Sequence, residues 1–273
     1  YQETLLYGDI IGSFEKKFGQ FSLNGVIGGS INDKLVNSLR YDSKTASLKY
    51  ANVFNVANII MDGSAYIDQQ IDAHRQLQSL FATAQVGYKD IFFLDLTARN
   101  DWSSTLAFTP NEKKGFFYPS VGGAWVMSKM FRLPEFISFG KLRAVWSKVG
   151  NDIPLYITNP VSHVGAGGEI EYADSAPFEN MKPEMTTSVE LGTEWRFLND
   201  RISFSGTYYK TNTRNQFFKL PAKSGDKYAY RYVNAGDIQN IGWEVSASAL
   251  PVVGKDFEWK SSLNYSTNKN KVV

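Results

Sequence analysis

Residues able to do chemistry are few in this chain. His74 and His163 are its only histidines and cysteine is absent, which excludes disulfides and thiolate metal sites. One histidine precedes a strand-like run and the other falls in a polar stretch. Both read as solvated imidazoles rather than as a general base or a metal ligand. Gly165–Glu169, GAGGE, has the glycine density of a phosphate-cradling loop but lacks the Lys-Ser/Thr that should follow. Loop flexibility explains those glycines better. Asn100-Asp101 and Asn151-Asp152 offer oxygen ligands, too few for a Ca²⁺ site. We therefore expect no catalytic residue, no metal site and no cofactor. The remaining candidates are rings: Trp102, Tyr156, Tyr172, Phe178, Tyr228 and Tyr230 all fall in long polar connections. Aromatic faces stack on sugar rings while neighbouring polar groups bond hydroxyls. The competing reading is that these rings pack the loops against each other.

The elements that must position these residues are strands. The chain has 273 residues and a net charge of +2. It has no basic run, so nucleic acid is not a partner. Mean hydropathy is −0.29, and no run of about 18 apolar residues exists to make a transmembrane helix. Period-two alternation recurs instead. Ten strands are expected, at Leu5–Lys16, Phe21–Ser30, Arg75–Tyr88, Ile91–Arg99, Phe116–Ser128, Phe139–Val149, Thr186–Phe197, Ile202–Gln216, Ile241–Leu250 and Phe257–Lys269. Short links (Lys17-Phe18-Gly19, Lys89-Asp90, Leu198–Arg201, Pro251–Asp256) alternate with long ones (Ile31–His74, Asn100–Gly115, Gly150–Met185, Phe217–Asn240). Lys129–Ser138 is a medium link with a helical turn. An up-and-down sheet with tight turns at one end and large loops at the other is the arrangement of outer-membrane β-barrels.

Face patterning agrees. Folded at Asn199-Asp200 as a two-residue type I′ turn, RFLNDRISFSGTYY pairs Phe197 with Ile202, Trp195 with Phe204 and Leu191 with Tyr208. Its other face pairs Arg196 with Ser203 and Glu194 with Ser205. Of six Trp, five (Trp125, Trp146, Trp195, Trp243, Trp259) fall on the apolar register. Three lie near the short turns and two nearer the long loops, the two-belt pattern of indoles at both bilayer interfaces. Lys141, Arg143, Glu190, Glu194, Arg196, Glu244, Glu258 and Lys260 would line a wet lumen, as wall-stiffening ion pairs or in transport. A soluble sandwich core with scattered Trp is the alternative.

Several blocks are specific. LFATAQVGYKDIFFLDLTARNDWSSTL (Leu80–Leu106), FYPSVGGAWVMSKMF (Phe117–Phe131), KLRAVWSKVGND (Lys141–Asp152), MKPEMTTSVELGTEW (Met181–Trp195) and NAGDIQNIGWEVSASALPV (Asn234–Val252) resemble, in order, barrel segments of SusC/RagA-type TonB-dependent outer-membrane transporters. The first 79 residues fit the barrel pattern with weaker motifs. The resemblance implies a multi-pass barrel in a Gram-negative outer membrane, with short periplasmic turns and long extracellular loops. It also implies TonB-dependent import of a nutrient such as an oligosaccharide or peptide. The implied partners are the TonB complex, a SusD-like surface lipoprotein and membrane lipid. Trp102 and Tyr172 become candidate substrate-binding residues. Such barrels have about 22 strands and a plugged lumen, so residues 1–273 are expected to be part of an all-β, antiparallel barrel domain. The plug, the TonB-contacting segment and the closing strand would lie elsewhere. Tyr1-Gln2 and Lys271–Val273 read as the interior of a longer chain. A soluble all-β glycan-binding or adhesion module and a barrel-type outer-membrane hydrolase are the alternatives.

Overall fold

The computed structural model describes residues 1–42, 48–53, 55–60, 66–164, 170–178 and 181–273. Its framework is one ten-stranded antiparallel sheet. The wall strands are β1 (Gln2–Phe18), β2 (Phe21–Asp42), β3 (Tyr66–Tyr88), β4 (Phe92–Ser103), β5 (Phe116–Val126) and β6 (Ile137–Asn151). After them come β9 (Glu184–Phe197), β10 (Ile202–Arg214), β13 (Ile238–Val253) and β14 (Glu258–Val272). Each pairs with its neighbour in the chain, so the sheet order is the sequence order. The small hairpins β7 (His163–Val164) with β8 (Ile170–Glu171), and β11 (Phe217–Pro221) with β12 (Tyr230–Asn234), lie inside long connections. The sheet does not close: β1 and β14 are its two edges. All ten expected wall strands are present.

Short connections gather at one end. Phe18 pairs with Phe21 across Gly19-Gln20, where Gly19 takes φ 60° at no steric cost. Tyr88 pairs with Phe92 around Lys89–Ile91, with Lys89 and Asp90 both at positive φ. One helical turn, α1 (Met127–Met130), fills part of the medium link. The β9–β10 hairpin has the expected register: Phe197 opposite Ile202, Trp195 opposite Phe204, Leu191 opposite Tyr208. Its turn is wider than the expected two residues. Asn199 and Asp200 do hold positive φ, and the Arg201 amide donates to the Leu198 carbonyl at 3.3 Å. Leu198, however, is also left-handed (φ 55°), and its amide turns away to the Phe136 carbonyl at 2.8 Å. The neighbouring link thus takes the hydrogen bond that would have closed a tighter hairpin, and the ladder ends at Phe197.

At the other end the strands overrun their expected limits. Pairing of β2 with β3 continues from Ser30–Ser79 up to Asp42–Tyr66, through residues expected to be loop. The backbone ladder needs no apolar alternation to persist; it needs only a partner strand. The long connections are therefore 43–65, 104–115, 152–183 and 215–237.

Candidate functional site

One face of the sheet is apolar and unlike anything a soluble domain exposes. Along β4 it carries Phe92, Leu94, Leu96, Ala98 and Trp102; along β9, Phe197, Trp195, Leu191 and Val189. No described element covers it: Leu191 is 51% exposed, Trp243 53% and Leu263 70%. At the short-turn end its rings stack within and between neighbouring segments. Phe18 stacks with Phe21 (6.2 Å), Phe21 meets Tyr88 (4.9 Å), Phe92 stacks on Trp125 (5.9 Å), and Phe136 and Trp195 both stack with Phe197 (6.4 and 6.5 Å). At the other end Tyr208 meets Trp243 at 4.8 Å, and the next outward residue along β10 is Lys210. From Phe92 to Trp102 the chain climbs roughly 33 Å at about 3.3 Å per residue. Tilted by about 40°, that is a band about 25 Å tall, the height of the apolar belt of outer-membrane barrels.

The opposite face is polar. Arg196 donates to Glu194 through Nη2 at 2.9 Å and lies 4.8 Å over the Phe139 ring. Gln85 donates to Asp95 at 2.7 Å, and Arg99 ties Asp101 (2.7 Å) to Ser79 (2.9 Å). Ser203 bonds Ser248, and Ser246 donates to Asn264, both at 2.7 Å. Arg143 donates to Thr207 at 2.9 Å from a shallow groove that Lys141, Glu194, Ser205 and Ser246 also line. Among the described residues Lys141, Arg143, Glu190, Glu244, Glu258 and Lys260 make no ion pair. Wall-stiffening ion pairs thus account for Arg196 and Glu194 but not for these six.

The long connections are not a fringe of independent loops. Leu106, Phe116, Ile153, Ile157 and Met181 form a buried apolar cluster, with Tyr118, Phe178, Phe217 and Tyr232 packed against it. Met181 is 0% exposed and Leu106 1%. A polar knot sits beside this core. The Asp152 carboxylate accepts from Thr105 Oγ1 (2.6 Å), Ser103 Oγ (2.8 Å) and the Ile153 amide (2.8 Å), and pairs with Arg75 at 2.5 Å. Asn111 donates to the Met181 carbonyl at 3.1 Å. Asn234 accepts from the Lys182 amide (2.8 Å) and donates to the Lys182 and Asn215 carbonyls (2.9 and 2.7 Å). Three connections, 104–115, 152–183 and 215–237, are thereby one cap. It is anchored on Arg75, Ser103, Phe116 and Tyr118, whose registers all belong to the polar face.

The candidate rings fare differently. Trp102 is not in a loop. It lies in β4 opposite Gln78, on the apolar face. Asn100-Asp101 breaks the apolar pattern without breaking the ladder, which runs on to Ser103. Tyr172 does stand in a long connection, exposed, with Lys227 Nζ 4.0 Å over its ring. Phe178 packs on the cap core, Lys219 lies 3.9 Å over Tyr230 and 5.4 Å separates Lys227 from Tyr228. The Tyr156 hydroxyl accepts from the His74 amide at 3.2 Å. The His74 imidazole sits 3.2 Å from Asp33. The His163 side chain and Gly165–Glu169 lie outside the described residues. Asp152 and Asp101 are occupied as described above. Sequence reasoning missed Leu106, Ile153, Ile157 and Met181. Their one signal was an apolar residue stranded in a polar connection.

An open antiparallel sheet with an aromatic-bounded apolar face, a polar face and connections sorted by length is a stretch of transmembrane β-barrel wall. The chain belongs to the family described as TonB dependent receptor-like, beta-barrel, whose model matches residues 2–272. It is 28% identical over 274 residues to TonB-dependent receptor P3 of Formosa agariphila, covering 96% of this chain and 26% of that protein. It is 29% identical over 232 residues to TonB-dependent receptor SusC of Bacteroides thetaiotaomicron, covering 77% of this chain and 23% of that one. Its fold is similar to that in the structure of the RagAB peptide transporter, with a TM-score of 0.83 at 17% identity over 99% of this chain and 31% of the other. The chain spans about a quarter of the length of the curated relatives it matches. The SusC/RagA-type resemblance and the outer-membrane location are thus borne out, and a soluble module is not what this chain is.

Proposed function

We propose that this chain supplies part of the wall and extracellular cap of an importer for an oligosaccharide or a peptide. The importer works with a plug outside these 273 residues, with the TonB complex and with a SusD-like surface lipoprotein. The observation that carries this reading is the cap's anchorage. Three long connections share one buried core, and that core rests on the polar face of the wall. A cap of that build can hold recognition groups still above a hydrated passage. Serine, threonine and asparagine hydroxyls and amides, with Lys141, Arg143 and Glu190, which make no ion pair among the described residues, give the passage the chemistry of sugar hydroxyls and peptide amides. The RagAB peptide transporter being a fold neighbour supports the peptide class, and the oligosaccharide class rests on the resemblance to SusC/RagA-type transporters and on the polar chemistry of the passage. We assign no catalytic role: His74 lies beside Asp33 on the apolar register, away from the passage.

Tyr172 remains the candidate contact, because its ring is exposed and, among the described residues, Lys227 is the cation that lies over it. Trp102, on the apolar register, we place with lipid instead. Calorimetry of the full-length transporter with its lipoprotein, against oligosaccharides and peptides, tests both. Tyr172→Ala is expected to weaken binding about tenfold, the loss of one stacking contact worth roughly 1 kcal/mol or a little more. Trp102→Ala is expected to bind as wild type does. Unchanged binding by Tyr172→Ala would reduce that ring to loop packing, and failure of both ligand classes to bind would remove the substrate proposal.

A further inference from the structure

The apolar face is not uniformly convex. Between β1 and β4 it carries a notch of about 730 Å³, floored by Gly8 and Gly29 and walled by Ile10, Ile31, Leu80 and Trp102. These six residues share the outward register. Gly8 is open above its backbone: a Cβ there would meet only an Ile31 methyl, at 3.7 Å. Directly beyond the notch, on the same face and toward the long connections, the surface turns polar in one step. Gln78 donates to Gln76 Oε1 at 2.9 Å, Gln76 donates to Asp33 at 3.0 Å, and His74 Nε2 lies 3.2 Å from the same carboxylate. Neither feature is needed for the strand pairing, which sets Gly8 opposite Ile31, Ile31 opposite Gln78 and Asp33 opposite Gln76 through the backbone.

We propose that the notch and the row above it seat one lipid of the outer leaflet: an acyl chain in the notch and a sugar headgroup on the row. Depth assigns the leaflet. The notch lies at the long-connection edge of the apolar band, with Trp102 at interface level. Charge assigns the headgroup. The row offers two carboxamides, a carboxylate and an imidazole, and among the described residues no lysine or arginine stands on it. Lys34 and Arg75 belong to the opposite register, paired with Glu3 and Asp152. A phosphodiester would meet the Asp33 carboxylate without a fixed cation. Hydroxyl and amide hydrogens are what Asp33 and the glutamines accept, and sugar oxygens are what the carboxamide N–H groups reach. The glycine floor holds the chain against backbone, where a side chain would push it out to the bulk bilayer.

The test is native mass spectrometry of the full-length transporter, purified in mild detergent. The probes are a glucosyl diacylglycerol and a phosphatidylglycerol of the same acyl chains. Wild type is expected to retain one glycolipid through delipidation that strips the phospholipid. Gly8→Leu, which fills the notch from its floor, is expected to lower that retention at least tenfold. Gly123→Leu, at another outward glycine, is expected to leave it unchanged. Should Gly8→Leu fail to assemble, Leu80→Trp fills the same space from a wall position that is already large and exposed. Equal retention by the filled variants and wild type, preference for the phospholipid, or no retained lipid would each overturn the proposal. None of these outcomes bears on what the passage imports.

Discussion

Leu96→Arg is expected to cripple assembly of the full-length protein, while Thr97→Arg, one residue on, is expected to be tolerated. Leu96 lies on the apolar face opposite Val121 and Ala84, close to midway between Phe92 and Trp102. Thr97 lies on the polar face opposite Ser120 and Thr83. An arginine at the bilayer midplane of an outer-membrane strand costs about 2–4 kcal/mol, and near the interfaces about 0–1. That is roughly thirtyfold to a thousandfold in the folded fraction at the midplane. Heat-modifiable mobility and denaturant titration in phospholipid vesicles read it. The depth series carries the test. Phe92→Arg and Trp102→Arg should cost far less than Leu96→Arg, because their positions sit at headgroup level. A protein core would have no such gradient, so equal penalties at all three would contradict the lipid assignment.

The second large effect belongs to the cap. Met181→Ala removes a fully buried side chain from a cluster that joins three connections. Burial losses of that kind cost about 2–5 kcal/mol. The cluster touches the wall only at the start of β5, through Phe116 and Tyr118, and the ladder is held by backbone pairing, so the loss should be largely confined to the cap. Amide exchange is expected to rise in 104–115, 152–183 and 215–237 together, with wall strands unchanged. Asp152→Ala should act on the same amides, since it leaves Arg75, Ser103 and Thr105 without their shared acceptor. Exchange that rises in only one connection would mean the three do not form one unit.

The wall could be read from sequence because lipid imposes a rule on every second residue. Where one face meets hydrocarbon and the other meets water, Leu191–Glu190 and Trp195–Glu194 alternate by necessity. Above the band both faces meet water, the rule lapses, and Asp33 and His74 look like loop although they stand in strands. The cap was hidden for a different reason. Leu106, Ile153, Ile157 and Met181 show no period, because a core assembled from three connections has no repeating geometry to write into the chain. Trp102 shows how the two effects combine. Read against Asn100-Asp101 it was a loop residue; read by parity with Phe92, Leu94 and Leu96 it belonged to the outer face.

The sheet order is the sequence order, and that bears on how such a protein comes into being and how it diversifies. Every strand finds its partner next along the chain, so the wall can grow hairpin by hairpin, and no segment waits for a distant one to be made. The length of the intervening connection matters little to that process. Residues 152–183 form a link about sixteen times longer than Gly19-Gln20, yet closing a loop costs only about 0.6 kcal/mol more per doubling, roughly 2.4 kcal/mol in all. Insertions at the long-connection end are therefore cheap for the wall, and the cap can be rebuilt while the staves that carry it stay as they are.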